Sequence, residues 1–95
     1  MLVVGVAYKK DVDDLRESPA LDIIELLMQK GAVVSYHDPY VAAISHNGFH
    51  LVGERELQHA LGAADCVVVA TDHSSYDWPF VRQQARLLVD TRHVA

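Results

Sequence analysis

Ninety-five residues, 51% hydrophobic and 22% charged, fit one small globular domain and exclude disordered or collagen-like chains. A net charge of −5, from 8 basic against 13 acidic residues, argues against non-specific attraction to nucleic acid or an anionic membrane. No apolar run approaches the roughly 18–20 residues of a membrane span, no basic-then-apolar leader is visible, and a single cysteine excludes an internal disulfide and a cysteine zinc cluster, so a reducing, cytoplasmic setting is expected.

The chain opens on Leu2-Val3-Val4-Gly5-Val6, short and β-branched, which reads as a buried strand. A polar segment, residues 8–17, follows. Ser18-Pro19 then starts a helix, because serine caps open N–H groups and proline suits the first helical position. Leu21, Ile24, Leu27 and Met28 give that helix its apolar stripe, widened by Ile23 and Leu26, and Gly31 stops it. Ala32 to Tyr36 is the second strand, ended by His37-Asp38-Pro39. Asn47-Gly48 marks a turn before Phe49–Val52, a short edge strand. Glu54–Leu61 is a short helix, Cys66–Ala70 a buried strand, Pro79–Ala85 a further helix and Arg86–Asp90 the last strand.

Alternating strands and helices predict an α/β, Rossmann-like three-layer sandwich around a mostly parallel sheet of four or five strands. The first strand should be central, flanked by the second and by the Cys66 strand. Ligands in such sheets bind beyond the carboxyl ends of the strands, where the strand order reverses. Lys9, Lys10 and Arg16 follow the first strand and Arg92 the last, so four of the eight basic residues fall at that edge. They either pair with Asp11, Asp13, Asp14 and Glu17 as solvated loop charges or gather to hold an anionic small molecule.

The remaining candidates carry less. Only Gly5 stands where a dinucleotide fold needs a glycine-rich phosphate turn, so independent NAD binding is not expected. Asp38 holds the position of a ribose-binding acid, but Asp before Pro also forms turns. Cys66, among apolar neighbours and away from cations, reads as a core thiol rather than a nucleophile. The histidines share no metal-ligand spacing, and Gly48 between His46 and His50 argues against a helical pair. Asp72-His73 lies in a loop at the ligand edge, where a turn-stabilising hydrogen bond is its simplest role. Tyr76 and Trp78 could stack on a base or pack a helix on the sheet.

Four ordered blocks carry a resemblance: residues 5–19, GVAYKKDVDDLRESP; Tyr36-His37-Asp38-Pro39; residues 64–73, ADCVVVATDH; and Val89-Asp90-Thr91-Arg92. Together they resemble the C-terminal, UDP-sugar-binding domain of the UDP-glucose/GDP-mannose dehydrogenase family. The resemblance implies that residues 1–95 are one domain of a larger NAD-dependent enzyme that oxidises the C6 alcohol of a nucleotide sugar to a carboxylate. It also implies that the NAD domain, the central helical domain, the catalytic residues and the homodimer contact lie outside this chain, and that the isolated domain is inactive. Tyr8, Lys9 and Arg92 match positions that contact the UDP-sugar, and Arg16 matches one that reaches the NAD. The loop from Ala70 to Asp77 is more similar to members acting on UDP-N-acetylglucosamine or UDP-N-acetylmannosamine than to those acting on UDP-glucose. The competing reading is a standalone phosphate-binding or receiver-like regulatory module, with Asp11, Asp13 and Asp14 as its acidic cluster and Asp72 as phosphoacceptor.

Overall fold

A computed structural model describes residues 1–7, 18–46 and 48–92. The strands are β1 (Leu2–Val4), β2 (Ser35–His37), β3 (Ala43–His46), β4 (Phe49–Val52), β5 (Val67–Val69) and β6 (Leu88–Asp90). The helices are α1 (Pro19–Gln29), α2 (Leu57–Ala63) and α3 (Trp78–Gln84). Four strands form one parallel sheet in the order β2-β1-β5-β6, with Leu2 paired to Ser35 on one side and Val67 on the other. The first strand is thus central, and the strand order reverses between β1 and β5.

β1 is buried on both faces, as a strand sandwiched between helix layers must be. Val3 turns to one core with Ala20, Ile24, Tyr36 and Ile44. Leu2 and Val4 turn to the other with Leu61, Val67, Tyr76 and Val81. The period-two alternation of a strand therefore feeds two cores, one under α1 and one under α2 and α3. Each aliphatic side chain wholly removed from water there contributes about 1.5–3 kcal/mol.

α1 begins as its sequence dictates. Ser18 is the N-cap, its Oγ accepting from Ala20 N at 3.3 Å, with Pro19 in the first turn. Gly31 takes φ +89° just past the end, and Ala32 N donates back to Leu27 O. The apolar stripe is narrower than the sequence suggests: Ala20, Leu21 and Ile24 are buried, whereas Leu26 and Met28 face solvent. Leu26 lies two residues beyond Ile24, about 200° round the helix, so it cannot share that face.

Several element boundaries move, and one strand joins a different sheet. β2 starts at Ser35 rather than Ala32, and Val33 is exposed, because the turn at Gly31 delays the chain's entry into the sheet. Phe49–Val52 is not an edge of the main sheet: it pairs antiparallel with β3 in a separate hairpin whose Ile44, Phe49 and Leu51 pack on the α1 core. Cys66 precedes β5 and is only half-buried; its carbonyl accepts Leu2 N at 2.9 Å. α3 starts one residue early because Asp77 caps it, its Oδ1 accepting Phe80 N.

Candidate functional site

The parallel strands run out together at Val4, His37, Val69 and Asp90. Just beyond Val4 the chain makes its closest approach to a neighbour. Gly5 has φ +82°, and a Cβ there would stand 2.3 Å from Thr71 O and 2.7 Å from Thr71 Cβ. Only glycine lets the exit of β1 lie against the exit of β5.

The next two residues are fixed through every backbone polar group they have. Val6 N and Ala7 N both donate to Asp38 Oδ2, at 2.8 and 3.2 Å. Thr71 Oγ1 donates to Ala7 O at 2.6 Å, and Ser18 Oγ to Val6 O at 2.6 Å. Ser18 therefore both caps α1 and ties its start to the exit of β1. Val6 and Ser18, which lie on either side of residues 8–17 in the chain, are thus held together at the carboxyl edge.

Asp38 is the hub of this edge. Its Oδ1 accepts Tyr40 N at 2.8 Å, the turn its place before Pro39 suggests. Its Oδ2 accepts, besides the two amides, His73 Nε2 at 2.8 Å; a carboxylate only accepts, so that nitrogen carries the proton. Both side chains are wholly out of solvent. His73 takes part in a turn, its carbonyl accepting Tyr76 N, and its side chain adds a bond across the sheet edge, from the β5 loop to the β2 loop. Sequence spacing cannot signal it, because the partners are 35 residues apart.

A second layer lies beside it. Tyr76 donates its hydroxyl proton to His37 O at 2.8 Å, so the 2.7 Å contact with His37 Nδ1 must be donated by the imidazole. Burial lowers the His37 pKa from its ordinary 6.5, against the opposing charges of Asp38 and Glu54. Burial and the Asp38 charge push the Tyr76 hydroxyl up. The same two causes push Tyr36, which donates to Val41 O, up to about 12. Tyr76 and Trp78 pack in the core under α3, which is the structural of the two roles open to them.

Of the sequence candidates, Arg92 is at this edge. Its Nε donates to Ala70 O at 3.1 Å and its backbone N to Asp90 Oδ1 at 3.0 Å, while its Nη atoms take no partner among the described residues. Tyr8, Lys9 and Arg16 lie outside the described residues. Arg55, which sequence reading assigned to a helix, instead precedes α2 and lines a depression beside His37, Tyr40 and Val52. A larger hollow of about 700 Å³ sits between Met1, Val33, His59 and Asp65, at the opposite, amino edge.

At the exit of β1 the described amides are already engaged, Gly5 N donating to His37 O. The amides that a phosphate turn would offer outward are taken by Asp38, and that carboxylate, which would have to reach a ribose, is turned inward. Among the described residues, one group of metal-ligating atoms exists away from the edge: Asp22 and Glu25 of α1 and His46 of β3 bring theirs within 4.8 Å of one another. Among the described residues, no helix is long and apolar enough to cross a membrane.

Comparison with known proteins gives this edge its context. Residues 2–95 match the UDP-glucose/GDP-mannose dehydrogenase family, UDP binding domain. A UDP-N-acetyl-D-mannosamine dehydrogenase of Pyrococcus horikoshii is 34% identical over 97% of this chain and 21% of its own length. An NDP-N-acetyl-D-galactosaminuronic acid dehydrogenase of Ralstonia solanacearum is 34% identical over 93% of this chain and 21% of its own. The solved structure of the UDP-N-acetyl-mannosamine dehydrogenase Cap5O from Staphylococcus aureus superposes with a TM-score of 0.73 at 34% identity, covering 99% of this chain and 22% of that one. The chain thus spans about a fifth of the length of these relatives. With its motif blocks, its strand order and these matches in agreement, the chain belongs to the UDP-glucose/GDP-mannose dehydrogenase family, as its UDP binding domain.

Proposed function

We propose that residues 1–95 are the sugar-nucleotide-binding domain of a longer, homodimeric, NAD-dependent dehydrogenase that oxidises the C6 alcohol of a UDP-N-acetylhexosamine to a carboxylate. The observation that carries this reading is the family match over residues 2–95, joined to an edge that holds Val6, Ala7 and Ser18 together and also carries Arg92. The N-acetylated substrate class is supported by the similar dehydrogenases, which are named for UDP-N-acetyl-D-mannosamine and NDP-N-acetyl-D-galactosaminuronic acid.

In this reading the Arg92 Nη pair forks onto the diphosphate. Its Nε bond to Ala70 O sets the plane of the guanidinium in advance, so little side-chain order is lost on binding. Tyr8 and Lys9 complete the grip, the ammonium as a point charge. Arg16 would reach the NAD held by another domain, a cofactor that would supply hydride acceptance when bound. The hydride chemistry belongs to parts of the enzyme outside this chain, and the domain alone is inactive.

Titration calorimetry with UDP tests the assignment. The chain binds UDP weakly, since half the cleft is contributed by other domains, and Lys9→Ala and Arg92→Ala each weaken binding about tenfold, the loss of one charge-assisted contact. Equal affinity in all three proteins overturns the site.

A further inference from the structure

We propose that Asp38 and His73 are positioning residues for UDP binding, acting through the backbone of Val6 and Ala7. This rests on the reading above, in which Tyr8 and Lys9, the next residues along, hold the ligand. Neither Asp38 nor His73 exposes any side-chain surface, so neither can touch a ligand beyond the edge. What they touch is the last described backbone before the ligand-binding pair. Two amides meet one carboxylate oxygen at 2.8 and 3.2 Å, and the imidazole supplies the third donor at 2.8 Å.

The third donor is what the geometry makes decisive. A buried carboxylate keeps its place only while its lone pairs are filled. Without the Nε2–H of His73, Oδ2 is held by two backbone bonds alone, and the longer of these, to Ala7 N, is the weakest link. Ala7 would then be fixed only by Thr71 at its carbonyl. The His73 ring is itself set by Tyr40, edge-on with centroids 4.8 Å apart. The Asp38 carboxylate thus joins the loops after β1 and β2, and the His73 imidazole ties the loop after β5 to the same oxygen, at the point where the strand order reverses. A displacement of Ala7 by an ångström would carry straight into residue 8, and misplacement of that size is costly to recognition.

The experiment compares His73→Phe, which keeps a flat ring but has no donor, with His73→Gln, whose amide can replace Nε2–H. Val81→Ala, a core truncation on the other face under α3, controls for lost stability. UDP affinity is measured by calorimetry and amide exchange at Val6 and Ala7 by NMR. We expect His73→Phe to bind UDP about tenfold more weakly and to exchange both amides faster. His73→Gln and Val81→Ala should stay within about threefold of the wild type. Asp38→Asn, which keeps the shape and replaces one carboxylate oxygen by a donor, provides the same reading should His73→Phe fail to fold. UDP binding undiminished in these clamp variants, or diminished equally in Val81→Ala, overturns the positioning role alone. Failure of the wild type to bind UDP at all overturns the binding reading, and the positioning role with it.

Discussion

Two groups of charged and titratable side chains lie within this small fold, and they differ in every respect that matters energetically. At the carboxyl edge, Asp38 and His73 meet at 2.8 Å with no side-chain exposure on either partner. On the flank, His46 stands 3.6 Å from both Asp22 and Glu25, with the Asp22 side chain 80% exposed. The His46 Nε2 is out of solvent and has no hydrogen-bond partner among the described residues. The first group is a hydrogen-bonded network whose members cannot be removed singly without stranding a buried polar group. The second is a longer contact without a hydrogen bond, open to solvent and counterions on its Asp22 side. Proximity of an imidazole to a carboxylate is common to both. Burial together with directed hydrogen bonds is what marks the carboxyl edge as built for a purpose.

The largest effect expected from breaking the first group comes from a residue with no side chain. Gly5→Ala places a Cβ 2.3 Å from Thr71 O at a φ of +82°, so the β1 and β5 exits must separate. Strained backbone and a clash with main-chain atoms together cost about 3 kcal/mol or more, read as a fall in the urea midpoint. Gly31→Ala and Gly48→Ala, also at positive φ but with nothing within 4 Å, serve as controls and should cost about 1–2 kcal/mol. A Gly5→Ala variant no less stable than these would mean that the two loops are not packed as described.

That residue also shows how far the sequence could be read. The parallel sheet, its central first strand and the placement of the ligand edge follow from alternating apolar runs, because burial on both faces leaves a periodic trace. Ser18, Pro19 and Gly31 announce the limits of α1 because capping is local chemistry. The hairpin from Ala43 to Val52 was legible only in part: Asn47-Gly48 marks its turn, but nothing local tells which sheet it joins. The Asp38–His73 bond was not legible, since a tertiary contact over 35 residues leaves no spacing rule. Asp38 showed its turn-forming oxygen, which bonds two residues on, and hid the oxygen that reaches back to Val6 and Ala7. The order of strands alone set Arg92 at the carboxyl edge, where its Nε meets Ala70 O, and the family resemblance added the role proposed for it.

Between the two groups lies His37, half-buried and bonded to Tyr76, and it sharpens the comparison through pH. Burial holds its pKa below 6.5 in the folded chain, while the unfolded chain keeps the ordinary value. The unfolded state therefore binds the proton first as pH falls, and stability declines from about pH 6.5 downward. His37→Asn retains an N–H that can donate to Tyr76 but cannot titrate. The wild type's stability advantage over this variant should accordingly be smaller at pH 5 than at pH 8, by urea unfolding at both. A constant or widening gap on acidification would contradict the burial of His37 as the dominant influence.

The smallest effect belongs to the flank. A double-mutant cycle on Asp22→Asn and His46→Ala should return a coupling below about 0.5 kcal/mol at low salt, shrinking further as ionic strength rises. The reason is geometric: at 3.6 Å no hydrogen bond is formed, and an 80% exposed carboxylate exchanges His46 for water at little cost. A coupling of 2 kcal/mol or more, about the size expected when one partner of a buried bond is lost, would place this flank in the same energetic class as the carboxyl edge. The distinction between a loose ion pair and a built network would then rest on exposure alone. Measured beside a cycle on Asp38→Asn and His73→Phe in the same buffers, the salt dependence separates the two cases, because screening reaches the exposed pair and leaves the buried one unchanged.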